Sequence, residues 1–238
     1  MIDMIYIGLT THCQVNCPYC SWGINKIPMK DREFYSWEYL ENIAKYVYGI
    51  PKVCIIGGEP TMHPDFVEWS PKFKELFGCK ELYVWTNGYG NLLFPEVFVN
   101  YDWVIMTKYT EKTFKGAPNN SEEMDYLFSF YEGMADKVTK CIFNENGDLC
   151  ILEGQGIPRI SMGEIEHRIP PVVQKTGNCG RDWKGSRIVS YVHGKLYPCC
   201  GEIHLSEAIG IEPTENWREE ITKVPIHCDK CLFAIGER

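Results

Sequence analysis

The chain has 238 residues, 45% hydrophobic and 24% charged, with a formal net charge of −8. That length holds one large domain, or one plus a small appendage, and the composition is that of an ordinary globular protein. The acidic balance, with no Lys/Arg run to override it, argues against a nucleic-acid surface; no apolar stretch reaches membrane-spanning length and no secretory signal pattern opens the chain, so a cytoplasmic location is expected.

In chain order, MIYIGLT (4–10) reads as a buried strand. It runs into THCQVNCPYC, where Cys13, Cys17 and Cys20 fall within eight positions. Three thiolates are one short of a closed tetrahedral zinc site, for which His12 is the only neighbouring fourth ligand. On a 4Fe–4S cubane the same three leave one iron without a protein ligand. Ser36 caps a predicted helix from Trp37 to about Tyr48, with Leu40, Ile43, Ala44 and Val47 at helical spacing. KVCIIGGEP (52–60) is a short apolar strand that stops at Gly57-Gly58. A helix follows between Asp65 and Phe77, with Ser70-Pro71 as an internal restart and Gly78 as terminator.

LYVWTNG (82–88) and WVIMTKY (103–109) are further strands. Ser121 to about Met134 is helical, with Met124, Leu127, Phe128 and Tyr131 on one face. VTKCIF (138–143) is a fifth strand, Asn146-Gly147 a turn signal, and RISMGEI (159–165) a sixth strand. Strands alternating with helices imply an α/β fold with a parallel sheet, whose ligands collect at the carboxyl ends of the strands. After Pro170-Pro171 the pattern changes: RIVSYV (187–192), His193-Gly194 and KLYP (195–198) read as a hairpin, followed by a helix near Glu215–Val224 and a terminal HCDKC. A boundary near residue 170 gives expected domains of 1–170 and 171–238.

Twelve cysteines is a high count. In a reducing compartment, tight clusters point to metal rather than disulfides. Cys54, Cys79, Cys141 and Cys150 stand alone and read as buried small hydrophobes. Cys179, Cys199, Cys200, Cys228 and Cys231 form a second group.

CQVNCPYC resembles the cluster motif of the radical S-adenosylmethionine (SAM) superfamily, Cys-x3-Cys-x2-Cys with an aromatic, here Tyr19, before the third cysteine. Gly57-Gly58-Glu59-Pro60 at the end of the second strand is similar to that family's GGEP motif. The resemblance implies a partial (β/α)6 barrel in which Cys13, Cys17 and Cys20 hold a 4Fe–4S cluster. SAM would chelate the open iron, and Glu59 and nearby carbonyls would accept from its amino group. Thr86-Asn87-Gly88 resembles a TNG found in the family, with its polar groups toward the cofactor. Thr107, Lys108 and Tyr109 end the fourth strand where the family contacts SAM, and Lys108 suits a carboxylate.

Cys179-x14-Gly194-x4-Cys199 resembles the opening of a SPASM/twitch domain. Cys228-x2-Cys231 supplies two more thiolates, so the resemblance implies a small twitch domain with an auxiliary 4Fe–4S cluster. Cys200 is the alternative to Cys199, and a structural zinc site the alternative to the cluster. A fully ligated second cluster suits electron transfer. The expected activity is therefore SAM cleavage followed by two-electron oxidation of a small molecule, served by an electron donor such as flavodoxin or ferredoxin. Glu166, His167, Arg168 and Arg159 are candidate bases. Peptide maturation, nucleotide chemistry and a non-catalytic metal carrier are the other readings.

Overall fold

A computed structural model of the chain describes residues 2–15, 17, 20, 22–88, 95–107, 109, 122, 126, 138–143, 148–151, 160–161, 187–199, 203 and 206–226. Its strands are β1 (Ile2–Gly8), β2 (Lys52–Ile56), β3 (Glu81–Thr86), β4 (Trp103–Thr107), β5 (Val138–Phe143), β6 (Asp148–Ile151), β7 (Ile160–Ser161), β8 (Arg187–Val192) and β9 (Lys195–Tyr197). All nine join one mixed sheet in the order β7-β6-β5-β4-β3-β2-β1-β8-β9. The six strands from β8 through β1 to β5 are parallel to their neighbours, consistent with a partial barrel.

The sixth parallel strand is not the one expected. Residues 160–161 lie antiparallel to β6, which itself turns back antiparallel on β5, so this stretch becomes an edge. Asn146-Gly147 lies outside the described residues, and the strands on either side of it, β5 and β6, pair antiparallel. The last parallel partner is β8, which pairs with the outer edge of β1, Ile5 opposite Val189 and Ile7 opposite Tyr191. The expected hairpin is present in β8 and β9, with His193 at φ 51° and Gly194 at φ 75° making its turn. Two consecutive positive φ values suit the right-handed twist of a tight hairpin, and glycine takes one of them without steric cost.

Helix α1 (Trp37–Val47) begins where the Ser36 side chain accepts from the Tyr39 amide, and buries Leu40, Ile43, Ala44 and Val47. Asp65–Phe77 is two short helices, α2 (Phe66–Trp69) and α3 (Phe73–Phe77), joined by a 3₁₀ turn at Ser70–Lys72. Pro71 lacks the N–H a continuous helix would need, and Gly78 at φ 58° ends the run. Helix α4 (Trp217–Glu220) covers the C-terminal side.

Strand alternation divides the core. Ile5, Ile7, Val53, Ile55, Leu82, Val84, Val189 and Tyr191 pack on one side with the helices, and Trp217 joins them. Tyr6, Cys54 and Val192 face the other way, with Trp22, Ile24 and Tyr35 folded over them. Cys54 and Cys79 are both buried, as small hydrophobes would be. Among the described residues no helix is long and apolar enough to cross a membrane. The expected helix at 121–134 falls almost wholly outside the described residues.

Candidate active site

The ends of β1 and β2 run alongside each other as bare main chain. Gly58 N–H donates to Thr10 O and Glu59 N–H to His12 O, both at 2.7 Å. A Cβ on Gly58 would stand 2.0 Å from His12 O, so only glycine permits the approach. The GGEP stretch thereby fixes the start of the cysteine loop.

Glu59 is buried and gathers four donors. Its Oε1 accepts from Thr61 N at 3.1 Å, Thr61 Oγ1 at 2.7 Å and Thr86 Oγ1 at 2.5 Å, and its Oε2 from Asn87 N at 2.6 Å. Burial pushes this carboxyl up from its ordinary range, while the bonds from Asn87, Thr86 and Thr61 pull it back. Pro60 opens the 3₁₀ turn that aims Thr61 at the carboxylate.

Two of the three cysteine sulfurs meet a side-chain donor. The Asn87 side-chain amide reaches Cys13 Sγ at 3.7 Å, and Asn87 Oδ1 accepts from Gln14 Nε2 at 3.3 Å. The Tyr109 hydroxyl, packed against Val15, donates to Cys17 Sγ. The backbone of Trp22, Gly23, Ile24 and Asn25 lies beside the Cys20 thiol and offsets part of its burial, and Gly23 N–H donates to Cys20 O at 2.9 Å. Burial still pushes all three thiols up, Cys17 to about 12, and for Cys13 the charge of Glu59 adds to it.

These features fit a cluster bound through thiolates. Buried thiols hold their protons until a cationic group compensates them, and donors aimed at the sulfurs suit thiolate ligands. His12, the only neighbouring fourth ligand for a zinc site, stacks on Phe34 at a centroid distance of 4.0 Å. Among the described residues no three His, Cys, Asp or Glu side chains are set to hold a single metal ion.

The structure thus brings Cys13, Cys17, Cys20, Gly57, Gly58, Glu59, Pro60, Thr86 and Asn87 to one place at the carboxyl ends of β1, β2 and β3. Tyr19, Lys108, Arg159, Glu166, His167, Arg168, Cys179, Cys200, Cys228 and Cys231 lie outside the described residues. Cys199 is described and buried. Sequence reasoning set Lys108 above Tyr109 and overlooked Thr61, for which the only signal was a Thr two residues after the glutamate.

Fold and site together define an α/β protein whose chemistry sits where a three-cysteine loop meets a Gly-Gly-Glu strand end. Residues 7–97 match the model of the Radical SAM superfamily. A GTP 3',8-cyclase of Actinobacillus pleuropneumoniae is 32% identical over 85 residues, 35% of this chain and 25% of that protein. The chain thus spans about a quarter of the length of that curated relative. Streptococcus suis SuiB, solved with its precursor peptide SuiA and with S-adenosylmethionine, shares the fold at 14% identity, with TM-scores of 0.52 and 0.50. Those two alignments cover 100% of this chain and 71% and 72% of SuiB.

Proposed function

We propose that this chain is a radical SAM enzyme, with Cys13, Cys17 and Cys20 holding a 4Fe–4S cluster and the strand ends around Glu59 holding SAM. The observation that carries it is the meeting of the two motifs, Glu59 N–H on His12 O at 2.7 Å and the Asn87 amide on Cys13 Sγ at 3.7 Å. When bound, the cluster and SAM together supply reductive cleavage of SAM and hydrogen-atom abstraction from a substrate.

The protein's part is to bind and orient. Asn87 and Tyr109 hold the sulfurs of Cys13 and Cys17 in place and favour their thiolate form, and the backbone of 22–25 does the latter for Cys20. Glu59, kept rigid by its four donors, retains acceptor capacity at Oε2 for an ammonium group. The buried aromatic wall of Tyr6, Trp22 and Tyr35 behind Cys13 and Cys20 excludes water. The finer reading is two-electron oxidation of a small molecule, with Cys179, Cys199, Cys228 and Cys231 as ligands of an auxiliary cluster that accepts the electron. Lys108 as a carboxylate contact, Tyr19 beside the cluster and a base among Arg159, Glu166, His167 and Arg168 belong to that reading.

Anaerobic reconstitution with iron and sulfide tests it. The expected result is two 4Fe–4S clusters per chain and reductant-dependent release of 5′-deoxyadenosine. Alanine at Cys13, Cys17 and Cys20 should abolish release and leave the second cluster. Zinc in both sites with no SAM cleavage sinks the proposal.

A further inference from the structure

The cysteine loop is closed by a neck and braced from within. At the neck, Thr11 N–H donates to Glu33 O at 2.9 Å, Glu33 N–H to Thr11 Oγ1 at 2.7 Å, and Thr10 Oγ1 to Glu33 O at 2.8 Å. Tyr35 N–H adds a bond to Leu9 O at 3.2 Å. Thr10 and Thr11 are fully buried, so one side of these bonds is anchored in the core. The returning chain therefore lies beside the end of β1 and delivers Arg32 to the root of the loop.

Arg32 then spends its guanidinium on main-chain carbonyls. Its NH1 nitrogen donates to Cys13 O at 2.8 Å, NH2 to Ile24 O at 3.2 Å and Nε to Ile27 O at 3.3 Å. Those carbonyls belong to the first cysteine and to the two ends of the 3₁₀ turn at Ile24–Lys26 that follows Cys20. Among the described residues Arg32 forms no ion pair with a carboxylate. A planar fork with several donors can hold divergent acceptors in one geometry, which the point charge of a lysine cannot.

We infer that Arg32 is a positioning residue for the cluster, an inference that rests on the function proposed above. Its fork sets the distance between Cys13 and the turn at Ile24–Ile27 that follows Cys20, and its positive charge beside them favours the reduced cluster. Neither effect requires Arg32 to touch iron or SAM.

Two variants separate geometry from charge. In the unloaded chain, hydrogen–deuterium exchange of peptides within 13–27 should quicken roughly tenfold or more in both Arg32→Gln and Arg32→Lys, as expected when charged hydrogen bonds are lost. Amides of α1 should exchange at the wild-type rate, showing that the fold persists. After reconstitution, both variants should lose iron to a chelator about 10-fold faster or more, as outer-sphere substitutions do. Redox titration by electron paramagnetic resonance should place the midpoint of Arg32→Gln below wild type, with Arg32→Lys nearer to it. Wild-type exchange over 13–27 in both variants overturns the bracing role, and an unshifted midpoint in Arg32→Gln overturns the charge role. A wild-type chain that takes up no cluster defeats the proposed function instead, and the exchange result still decides whether Arg32 braces the loop.

Discussion

Glu59 shows how much one side chain can organise. A backbone N–H sits on each of its oxygens, Thr61 N on Oε1 and Asn87 N on Oε2. A glutamate accepts at both positions whether ionised or protonated, but a glutamine presents one oxygen and one NH₂ group. Either amide orientation of Glu59→Gln therefore orphans a buried N–H. The expected loss is about 1–3 kcal/mol of stability, measured as the urea midpoint of the unloaded protein; an unchanged midpoint would show that the clasp is not structural. The importance of Glu59 was legible in GGEP. Its partners were not, because Thr86 and Asn87 arrive from another strand and become neighbours only through the pairing of β2 with β3. Tyr109 was undervalued for a similar reason, since a residue at a strand end reveals its neighbour only once the cysteine loop is folded beside it.

At the level of elements, the close pass of Gly58 against residues 10–12 couples two strands to one loop. Gly58→Ala must push His12 O away and break the Glu59-to-His12 bond, because the conflict is with backbone rather than a movable side chain. A cost of about 1–3 kcal/mol is expected from the overpacking. The loop should loosen with it, so anaerobic reconstitution of Gly58→Ala should yield less iron than wild type under equal conditions. Wild-type iron content with wild-type stability would reject the coupling. The elements themselves were largely readable from the chain. The Ser36 cap, the restart at Ser70-Pro71 and the stop at Gly78 are each local chemistry, and each appears where local chemistry puts it. The sixth parallel strand was misplaced because pairing between distant segments leaves no local mark. RISMGEI and RIVSYV both read as strands, and only the sheet's order distinguishes an edge from a partner of β1.

On the scale of the whole molecule, the C-terminal segment is built into the main sheet. Trp217 is 1% exposed, packs in the same core as Ile5 and Val53, and donates its indole N–H to Tyr46 O at 3.0 Å. The Tyr35 hydroxyl bonds His193 Nδ1 at 2.9 Å, tying the β8–β9 turn to the residue before the α1 cap. Trp217→Ala should therefore cost about 3–5 kcal/mol. It should shift the entire urea transition, with fluorescence and far-UV circular dichroism moving together. Two separated transitions, with only the later residues weakened, would show that 187–226 unfolds as an independent unit. The pairing of β1 with β8, Ile2 opposite Arg187 and Ile7 opposite Tyr191, also has a consequence for biosynthesis. The earlier strand leaves the ribosome long before its neighbour exists. Until Arg187–Val192 emerges, one edge of β1 is an unpaired template, and closing that gap is a slow, long-range step. The nascent protein must protect that edge while the segment between β1 and β8 is made.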